Sequence, residues 1–363
     1  MGFGPSSKTA GRAVLERSSA RSSGWRKREG TVLCAAVIHL YVHGRGRGHA
    51  TRCLAIARAL DAAGRRFRAF VGPDGVALFS SAYPCTPIAS LPPTPGPATL
   101  RLASRVRDAV RAARADDATV IVSDGDLPGL SAASLLRRPG IAVGHGLVFS
   151  GCERPDALPA TPWLRERAKA AVSSAGAQRC IAVNFVPLQP RTPRTIVARP
   201  ALDPRLHRVD APDRVLCYFR DGAPEVLRRL VELGITPLVF GPTRPDVDGI
   251  EFEPQDRVRF IEGLACARVV VSSAGSQLIS ECVGLGIPIL ALHRHDDDEQ
   301  RLNAAMVREH RLGDGCSFTA LTPARLQRFI DAPPAGTASN DDLPDVATAV
   351  MDAIDTALLS RGR

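Results

Sequence analysis

The 363-residue sequence lacks three features that mark particular classes of protein. No apolar run approaches the roughly 20 residues that a membrane-spanning helix needs, which predicts a soluble protein or one attached to a membrane surface. The nine cysteines are scattered and form no Cys-x-x-Cys pair, which argues against a zinc site or a disulfide framework. Only three of the 47 basic residues are lysines. Such an excess of arginine suggests a GC-rich genome rather than selection for phosphate binding.

The net charge of +10 is concentrated at the amino terminus. Residues 1–30 hold seven Lys or Arg and two Glu, a surplus of five positive charges, in a Ser/Gly/Arg-rich stretch without hydrophobic periodicity. This composition predicts disorder, and the stretch is either an upstream extension or a transit-type presequence. The remaining charge is mild, so nucleic acid is not an expected partner. Unpaired cysteines fit a reducing, cytoplasmic location.

From about residue 32, short β-branched runs alternate with Ala/Leu/Arg-rich stretches of helical periodicity. This alternation predicts α/β domains with parallel sheets covered by helices on both faces. The segment RTPRTIVARPALDPR carries three prolines and separates two such units. We predict domains at 32–200 and 201–335 that face each other across a cleft, preceded by a basic segment at 1–31. A linker and a final helix at 336–363 would pack back on the first domain. Ligands of such folds bind at the carboxyl ends of the strands.

A glycine-rich loop, HGRGRGHATR (residues 43–52), follows the first predicted strand and precedes a helix. His49 stands where a dinucleotide-binding G-x-G-x-x-G loop has its third glycine, and no Gly-Lys-Ser/Thr follows, so neither that fingerprint nor a P-loop is predicted. A histidine beside free helix amides at a cleft is placed to take a proton from a hydroxyl. A tight turn whose histidine merely caps the helix is the alternative.

A second motif, VVVSSAGSQLISECVGLGIPILALHRHDDDEQRLN, spans residues 269–303. Its SSAGS segment predicts a strand-to-helix turn in which Gly275 allows close approach of a ligand. Ser273 and Ser276 then stand near a helix N-terminus, which suits a diphosphate. Glu281 on the same helix is within reach of ribose hydroxyls. Two side chains that could hydrogen-bond a sugar, those of Glu299 and Gln300, open the next helix.

These motifs resemble GT-B-fold glycosyltransferases. They are most similar to glycosyltransferase family 28, which includes the UDP-N-acetylglucosamine transferase of peptidoglycan synthesis, and to related prokaryotic enzymes. The resemblance covers most of residues 35–315 and is strongest at 269–303 and 44–60. It implies two Rossmann-like domains, of which the first binds the acceptor and the second binds the nucleotide sugar.

The resemblance also implies roles for individual residues. Phe260 and Ile261 would contact the base of the nucleotide. Arg220 and Gly222 stand where the family has a Gly/Ser-rich loop. Arg220 could there neutralise the leaving diphosphate. The whole implied donor nucleotide site is Arg220, Gly222, Phe260, Ile261, Ser273, Gly275, Ser276 and Glu281. The implied donor-sugar residues are Glu299 and Gln300, and those of the acceptor side or its loop are Gly46, Gly48 and His145.

We therefore predict an inverting glycosyltransferase. It would move a sugar from a nucleoside diphosphate sugar, with UDP ahead of dTDP, to a hydroxyl of a small metabolite, natural product or lipid. His49 would deprotonate the acceptor, Asp124 at the end of a neighbouring strand would orient His49, and His145 is the substitute base. No cofactor is expected besides the nucleotide sugar as co-substrate. The crowded segment HRHDDDEQ is not predicted to bind a metal, because consecutive side chains of an extended chain point in opposite directions.

Three alternatives stay open. A nucleotide-sugar epimerase shares the architecture, and a catalytically silent protein could bind the sugar nucleotide without turning it over. A peripheral membrane enzyme would use five arginines along the predicted helix at 99–117 to bind anionic lipid, although a solvated helix face is the preferred interpretation of this pattern. These are Arg101, Arg105, Arg107, Arg111 and Arg114. The acceptor and the oligomeric state are not predicted.

Overall fold

The computed structural model of the chain describes residues 36–44, 47–91, 95–210, 212–334 and 342–361. The predicted basic segment at 1–31 and the loop residue Gly46 lie outside these ranges. Two parallel sheets, one of seven strands and one of six, carry helices between their successive strands. The predicted architecture of two doubly wound α/β domains is thereby confirmed.

The first sheet and its helices occupy the chain up to residue 198. The elements are β1 (Val37–Val42), α1 (Arg47–Ala62), β2 (Arg66–Val71), α2 (Pro73–Ser80), β3 (Cys85–Pro87), α3 (Pro95–Ala115), β4 (Val120–Asp124), α4 (Leu127–Leu135), β5 (Gly140–Gly144), α5 (Leu147–Gly151), α6 (Ala160–Ser173), β6 (Arg179–Val183) and β7 (Thr195–Ala198). The strand order is β3-β2-β1-β4-β5-β6-β7.

The second sheet follows a connecting segment. Its elements are β8 (Arg214–Tyr218), α7 (Pro224–Glu232), β9 (Leu238–Gly241), β10 (Glu251–Pro254), α8 (Arg257–Ala265), β11 (Ala267–Ser273), α9 (Ser276–Leu285), β12 (Ile289–His293), α10 (Asp298–Glu309), β13 (Gly313–Ser317), a 3-10 turn (Phe318–Ala320), α11 (Pro323–Asp331) and α12 (Val346–Arg361). The strand order is β10-β9-β8-β11-β12-β13.

Alternate residues of β1 show why helices cover both faces of the first sheet. Ile38 and Leu40 lie in one hydrophobic cluster with residues of α1 and α12. Tyr41 points to the other face, where it clusters with Ala109 of α3 and Ala132 of α4. Successive side chains of a strand alternate between the faces, and here both faces are apolar, as a doubly covered parallel sheet requires. The last helix, α12, thus packs on the sheet of the first domain, against α1 and β6.

Strand β7 was not expected from the sequence, since it lies inside the proline-rich segment that separates the two domains. Its residues Thr195–Ala198 are flanked by Pro193 and Pro200, and they pair with β6 at the edge of the sheet. An edge strand tolerates neighbouring prolines because one of its sides forms no ladder hydrogen bonds. The apolar, β-branched sequence TIVA therefore outweighs the prolines around it.

A continuous hydrophobic cluster joins the two domains on one side of the molecule. Val148 and Phe149 of α5 and Phe185 after β6 belong to it together with Leu302 and Met306 of α10. Helices α6 and α10 also pack against each other. Burial of each large apolar side chain stabilises the contact by roughly 1.5–3 kcal/mol. This side of the interface therefore fixes how the two sheets face each other.

Candidate active site at the interdomain cleft

Several of the predicted site residues lie at the point in each sheet where the strand order reverses. In the first sheet β1 and β4 are neighbours, His49 lies in the helix after β1, and Asp124 is the last residue of β4. In the second sheet β8 and β11 are neighbours, Arg220 follows β8, and Ser273 ends β11. In open α/β sheets the crevice at these reversal points is the usual ligand site.

The starts of two helices bring these points together across the cleft. A Cβ atom placed on Gly48, in the first turn of α1, would lie 3.7 Å from the Cβ atom of Gln277, in the first turn of α9. Gly48 is part of the HGRGRGHATR segment in the first domain, and Gln277 follows the SSAGS turn in the second domain. The glycine-rich loop and the predicted diphosphate turn are therefore in van der Waals reach of each other.

His49 and Asp124 form a hydrogen-bonded pair. The Nδ1 atom of His49 lies 2.6 Å from Oδ1 of Asp124. The side chain of Asp124 is completely buried, whereas that of His49 is 31% exposed. Because an ionised carboxylate only accepts hydrogen bonds, Nδ1 of the neutral imidazole carries the proton and Nε2 keeps its lone pair. This arrangement can orient a general base.

Arg52 is a third member of this cluster, and the sequence analysis missed it. Its Nε donates to Oδ2 of Asp124 at 2.6 Å and its Nη2 donates to Oδ1 at 2.8 Å. Burial alone would raise the pKa of Asp124, but the charges of Arg52 and His49 and their hydrogen bonds outweigh burial and hold it well below its ordinary value. Arg52 stands three residues after His49 on α1, a spacing that places two side chains on one helix face.

Gly125, directly after Asp124, fits closely under the histidine. Its φ of +69° lies in the left-handed region that favours glycine. An added Cβ would lie 3.3 Å from Cε1 of His49 and 3.3 Å from Cβ of His43. The rings of His43 and His49 have centroids 5.1 Å apart. The turn after β4 therefore packs closely against His43 and His49.

On the donor side, the SSAGS turn leads into α9 with space around it. Gly275 is exposed, and an added Cβ there would meet no atom within 4 Å. The residue before α9 contributes no side-chain hydrogen bond to the helix start. Because the first amides of a helix have no partner within the helix, they are oriented for an anion. Ser273 and Ser276 are half-buried on either side of this glycine.

Glu281, the predicted ribose residue, is buried and already held by two neighbours. Arg257 of α8 donates to its Oε1 at 2.9 Å, and Gln277, one turn earlier on α9, donates to the same atom at 3.1 Å. Arg257 also lies 3.7 Å from Asp203 in the connection between the domains. The structure thus adds Arg257 and Gln277 to the surroundings of Glu281. The contact with Arg257 joins two different helices, so no sequence spacing indicates it.

Arg220 lies at the mouth of the cleft. Its Nη2 is 3.8 Å from Oδ2 of Asp74 in α2, and both side chains are partly exposed. Gly222, two residues later, has a φ of +70° and open space beside it. The loops after β8 and β9 line a pocket of about 380 Å³ that includes both residues.

Phe260 and Ile261 lie in α8, and Phe260 contacts Phe240, which lines this pocket. The ring of Phe260 packs edge-on against Tyr218 and Phe240, with centroids 5.7 and 5.1 Å away. Ile261 is buried. The hydroxyl of Tyr218 accepts a hydrogen bond from Gln255 at 2.9 Å. Aromatic side chains from three elements therefore support the position that the resemblance assigns to the base.

Glu299 and Gln300 open α10, and both are half-buried. The amide of Gln300 donates to Oδ1 of Asp297, the residue before the helix, at 2.9 Å. Although burial lowers the pKa of Arg52, Asp124 raises it more, and the charge of Glu299 contributes to the increase. Glu299 therefore lies within electrostatic reach of the His49 cluster in the other domain.

His145, directly after β5, is buried among polar groups. Its Nδ1 lies 3.0 Å from the carbonyl oxygen of Val183, and its Nε2 lies 2.8 Å from Oδ1 of Asn303 in α10. The amide group of Asn303 in turn donates to the carbonyl oxygen of Ala274, in the SSAGS turn, at 3.0 Å. These buried contacts form a polar link from the end of β5 to the predicted diphosphate turn. Asn303 was not singled out in the sequence.

The Asp-x-Asp sequence at 124–126 does not present two carboxylates to one ion. Asp126 accepts two hydrogen bonds from Nη2 of Arg105, at 2.9 and 3.0 Å, while Asp124 is bound by Arg52. Each carboxylate is therefore neutralised by its own arginine. In the ranges that the structure describes, no group of three or more His, Cys, Asp or Glu side chains could hold a metal ion.

Arg105 also changes the interpretation of helix α3. The sequence placed it with four other arginines on a solvated or lipid-facing surface, but it is buried against Asp126. Arg101, Arg107 and Arg111 are exposed. No helix in the described ranges has both the length and the apolarity that crossing a bilayer requires.

Comparison with known proteins agrees with these features. Residues 165–334 match the model of the family described as glycosyl transferase family 1. No curated protein matches the chain in sequence.

Solved structures cover nearly the whole fold. MurG of Acinetobacter baumannii superimposes with a TM-score of 0.60 at 16% identity, over 88% of this chain and 99% of its own. The spinosyn forosaminyltransferase SpnP gives 0.61 at 16%, over 89% and 99%. A candidate UDP-N-acetylglucosamine 2-epimerase of Listeria monocytogenes gives 0.55 at 14%, over 88% and 96%. The chain has the GT-B fold and resembles glycosyltransferases such as MurG, and its residues 165–334 match glycosyl transferase family 1.

Proposed function

We propose that the protein is an inverting glycosyltransferase that uses a nucleoside diphosphate sugar. The observation that carries this proposal is the buried Asp124 bound to a partly exposed His49, opposite the open start of α9. A base on one side of a cleft and an anion-binding helix start on the other are the two groups that sugar transfer to a hydroxyl needs.

The reaction is a single displacement. Nε2 of His49 takes the proton of the acceptor hydroxyl, and the acceptor oxygen forms a bond to the anomeric carbon of the donor sugar. The bond from that carbon to the diphosphate oxygen breaks at the same time, and the diphosphate leaves with the electron pair. Attack from the face opposite the leaving group inverts the configuration of the anomeric carbon.

The departing charge is met by groups of this chain. The first amides of α9, the hydroxyls of Ser273 and Ser276, and the guanidinium of Arg220 would surround the diphosphate. We propose that they act in place of a metal ion, which is supported by the pairing of Asp124 and Asp126 with arginines. Glu281 would accept hydrogen bonds from the ribose.

The donor would be a UDP-sugar, with dTDP-sugars as the second choice. A thermal-shift screen with UDP, dTDP, GDP and their glucose derivatives tests this first step, because a ligand at free concentration L that binds only the native state stabilises it by RT ln(1 + L/Kd). Donors that bind are then incubated without acceptor, and the release of nucleotide is followed with water as the sugar acceptor. A protein that binds none of these nucleotides contradicts the proposal.

Variants of His49 test the chemistry. We expect His49→Ala to lower nucleotide release by a factor of roughly 100 or more while donor binding is retained, because a general base contributes 10²–10⁴-fold. His207→Ala, an exposed histidine in the connecting segment, is the matched control and should have no effect. Loss of only a few-fold in His49→Ala would refute the base assignment.

An epimerase is the second candidate, because a structure named for that activity shares the fold over most of both chains. An epimerase would convert the donor sugar to its isomer without acceptor, which product analysis by NMR detects. A non-catalytic sugar-nucleotide-binding protein would give a thermal shift without any release of nucleotide.

A further inference from the structure

Arg52 makes contacts that tie it to the chemistry of the site rather than to packing alone. Its Nε and Nη2 each donate a hydrogen bond to one oxygen of Asp124, and Nη2 lies 3.3 Å from Nδ1 of His49. The guanidinium is buried, and His49 and Arg52 share one face of α1. One arginine therefore contacts both the candidate base and the carboxylate that orients it.

A second buried arginine in this region, Arg105, forms an ion pair that does not contact His49. Arg105 binds Asp126, two residues after Asp124, with Nη2 contacting both oxygens, and it also donates to the Ala89 carbonyl. Like Arg52, it is buried beside a buried carboxylate. Its only described partners are Asp126 and that carbonyl. The two pairs share their chemistry and depth but differ in their contact with His49.

We propose that Arg52 is a positioning residue of the transfer reaction: it fixes the plane of the Asp124 carboxylate and balances its charge, so that His49 is held with an unprotonated Nε2 facing the cleft. This inference rests on the proposed function. The fork leaves Oδ1 directed at Nδ1 of His49, since both carboxylate oxygens are engaged by the rigid guanidinium.

The charge balance matters because the carboxylate is completely buried. Without Arg52, the imidazole of His49 would be its nearest cation, and Asp124 would favour the imidazolium form. An imidazolium has no lone pair and cannot accept a proton from the acceptor. Arg52 supplies the positive charge in its place, so the carboxylate does not need an imidazolium as its counter-ion.

Other groups around this cluster are few. Glu299 acts on Arg52 from α10 in the other domain, and its negative charge opposes the effect of the arginine. The described titratable and charged groups in contact with His49 or Asp124 are Arg52 and Cys53 from α1 and His43 after β1, and Glu299 from α10 acts on Arg52. The thiol of Cys53 lies 3.5 Å from Oδ2 of Asp124, and burial keeps it neutral by raising its pKa. Arg52 is therefore the one permanent cation among these groups.

The test compares Arg52→Met and Arg52→Lys with Arg105→Met and Arg105→Lys. Nucleotide release from a UDP-sugar is measured between pH 5.5 and 9, and thermal unfolding is recorded for every variant. In Arg52→Met we expect the acid limb of the pH profile to move up by about one unit, the rate at pH 7 to fall up to tenfold, and the rate at high pH to recover. Arg52→Lys should lie in between, because it keeps the charge but loses the fork.

The Arg105 variants should lower the thermal midpoint without moving the acid limb. KM for the donor should stay unchanged in all four variants, because neither arginine is expected to touch the nucleotide. In a His49→Ala background, Arg52→Met should change the remaining rate by less than twofold, since its effect passes through the histidine. A uniform loss of rate at every pH, or the same loss with and without His49, would overturn the proposal.

Two further readouts keep the outcomes distinct. If Arg52→Met does not fold, Arg52→Lys alone and Arg52→Lys in the His49→Ala background decide. Two-dimensional ¹H–¹⁵N spectra of the histidine rings at pH 7, with His49→Ala to assign the signal, should show an imidazolium for His49 in Arg52→Met and a neutral ring in the wild type. A wild-type protein that releases no nucleotide from any donor contradicts the proposed function. The ring spectra then still decide whether Arg52 controls the protonation of His49, and identical spectra refute it.

Discussion

Replacing Asp124 with asparagine isolates the electrostatic core of the site. The amide has nearly the shape of the carboxylate, but it has one acceptor oxygen where Asp124 offers two, and it carries no charge. Arg52 would then be a buried guanidinium without a counter-ion. Removing one partner of a buried ion pair costs about 3–5 kcal/mol. We expect Asp124→Asn to lower the free energy of unfolding by about that amount at pH 7.

The dependence of this loss on pH follows from the lowered pKa of Asp124. Between the pKa values of the folded and the unfolded states, the unfolded carboxylate binds more protons than the folded one, so stability falls as the pH drops. The window lies below about pH 4, where an unperturbed aspartate titrates. The difference between the wild type and Asp124→Asn should therefore shrink as the pH falls below about 4.

Urea denaturation followed by tryptophan fluorescence measures this difference. Trp163 is buried in α6 and therefore reports on unfolding of the first domain. Urea is preferable to guanidinium chloride, which is a salt and screens ion pairs.

Asp126→Asn is the matched control for this measurement. Burial raises the pKa of Asp126, and Arg105 offsets this only in part. The folded state thus favours the charged form at Asp124 and disfavours it at Asp126. We expect Asp126→Asn to cost less than Asp124→Asn. A loss below about 1 kcal/mol in Asp124→Asn, or a larger loss in Asp126→Asn, would refute this reasoning.

Three other variants test separate features of the structure. Tyr41→Phe should raise the free energy of unfolding by about 1 kcal/mol in urea, because the buried hydroxyl has no hydrogen-bond partner among the described residues. A loss of stability would indicate a partner. Gly125→Ala should lower the free energy of unfolding by about 1–3 kcal/mol, because alanine disfavours the left-handed backbone at this position. It should also reduce nucleotide release with donor binding intact, because the new methyl group would crowd the ring of His49. Unchanged release would contradict this. Asn303→Ala should cost about 2–4 kcal/mol, because it leaves Nε2 of His145 and the buried carbonyl of Ala274 without this partner. A cost below about 1 kcal/mol would show that water replaces the link.

The pairing of His49 with Asp124 was within reach of sequence analysis. Each follows a short apolar strand, and in a parallel sheet the carboxyl ends of neighbouring strands lie along one edge. The sequence does not state which strands are neighbours, but the doubly wound fold that it predicts makes β1 and β4 neighbours. Arg52 was also accessible, since a polar residue three positions after a catalytic candidate on a helix shares its face. It was missed because a sequence does not show which carboxylate an arginine meets.

Contacts between distant elements could not be predicted in this way. Arg105 was interpreted as part of an exposed basic stripe, because the regular spacing of arginines along α3 gives no indication of which one turns towards Asp126. Arg257 and Glu281 stand on different helices, and their contact depends on how α8 and α9 pack against the sheet. Side-chain pairs of this kind are decided by packing, on which hydrophobic periodicity carries no information.

The two sides of the interdomain cleft are held with different strength. On one side, buried apolar side chains of α5 and α10 share a cluster, and the link from His145 through Asn303 to the SSAGS turn is buried. At the mouth, the contact between Arg220 and Asp74 is an ion pair of 3.8 Å between partly exposed groups, worth at most about 1 kcal/mol. A donor diphosphate that attracts Arg220 would replace this weak contact. Any opening of the cleft would therefore pivot on the α5–α10 side, and the position of the diphosphate turn relative to β5 would be preserved.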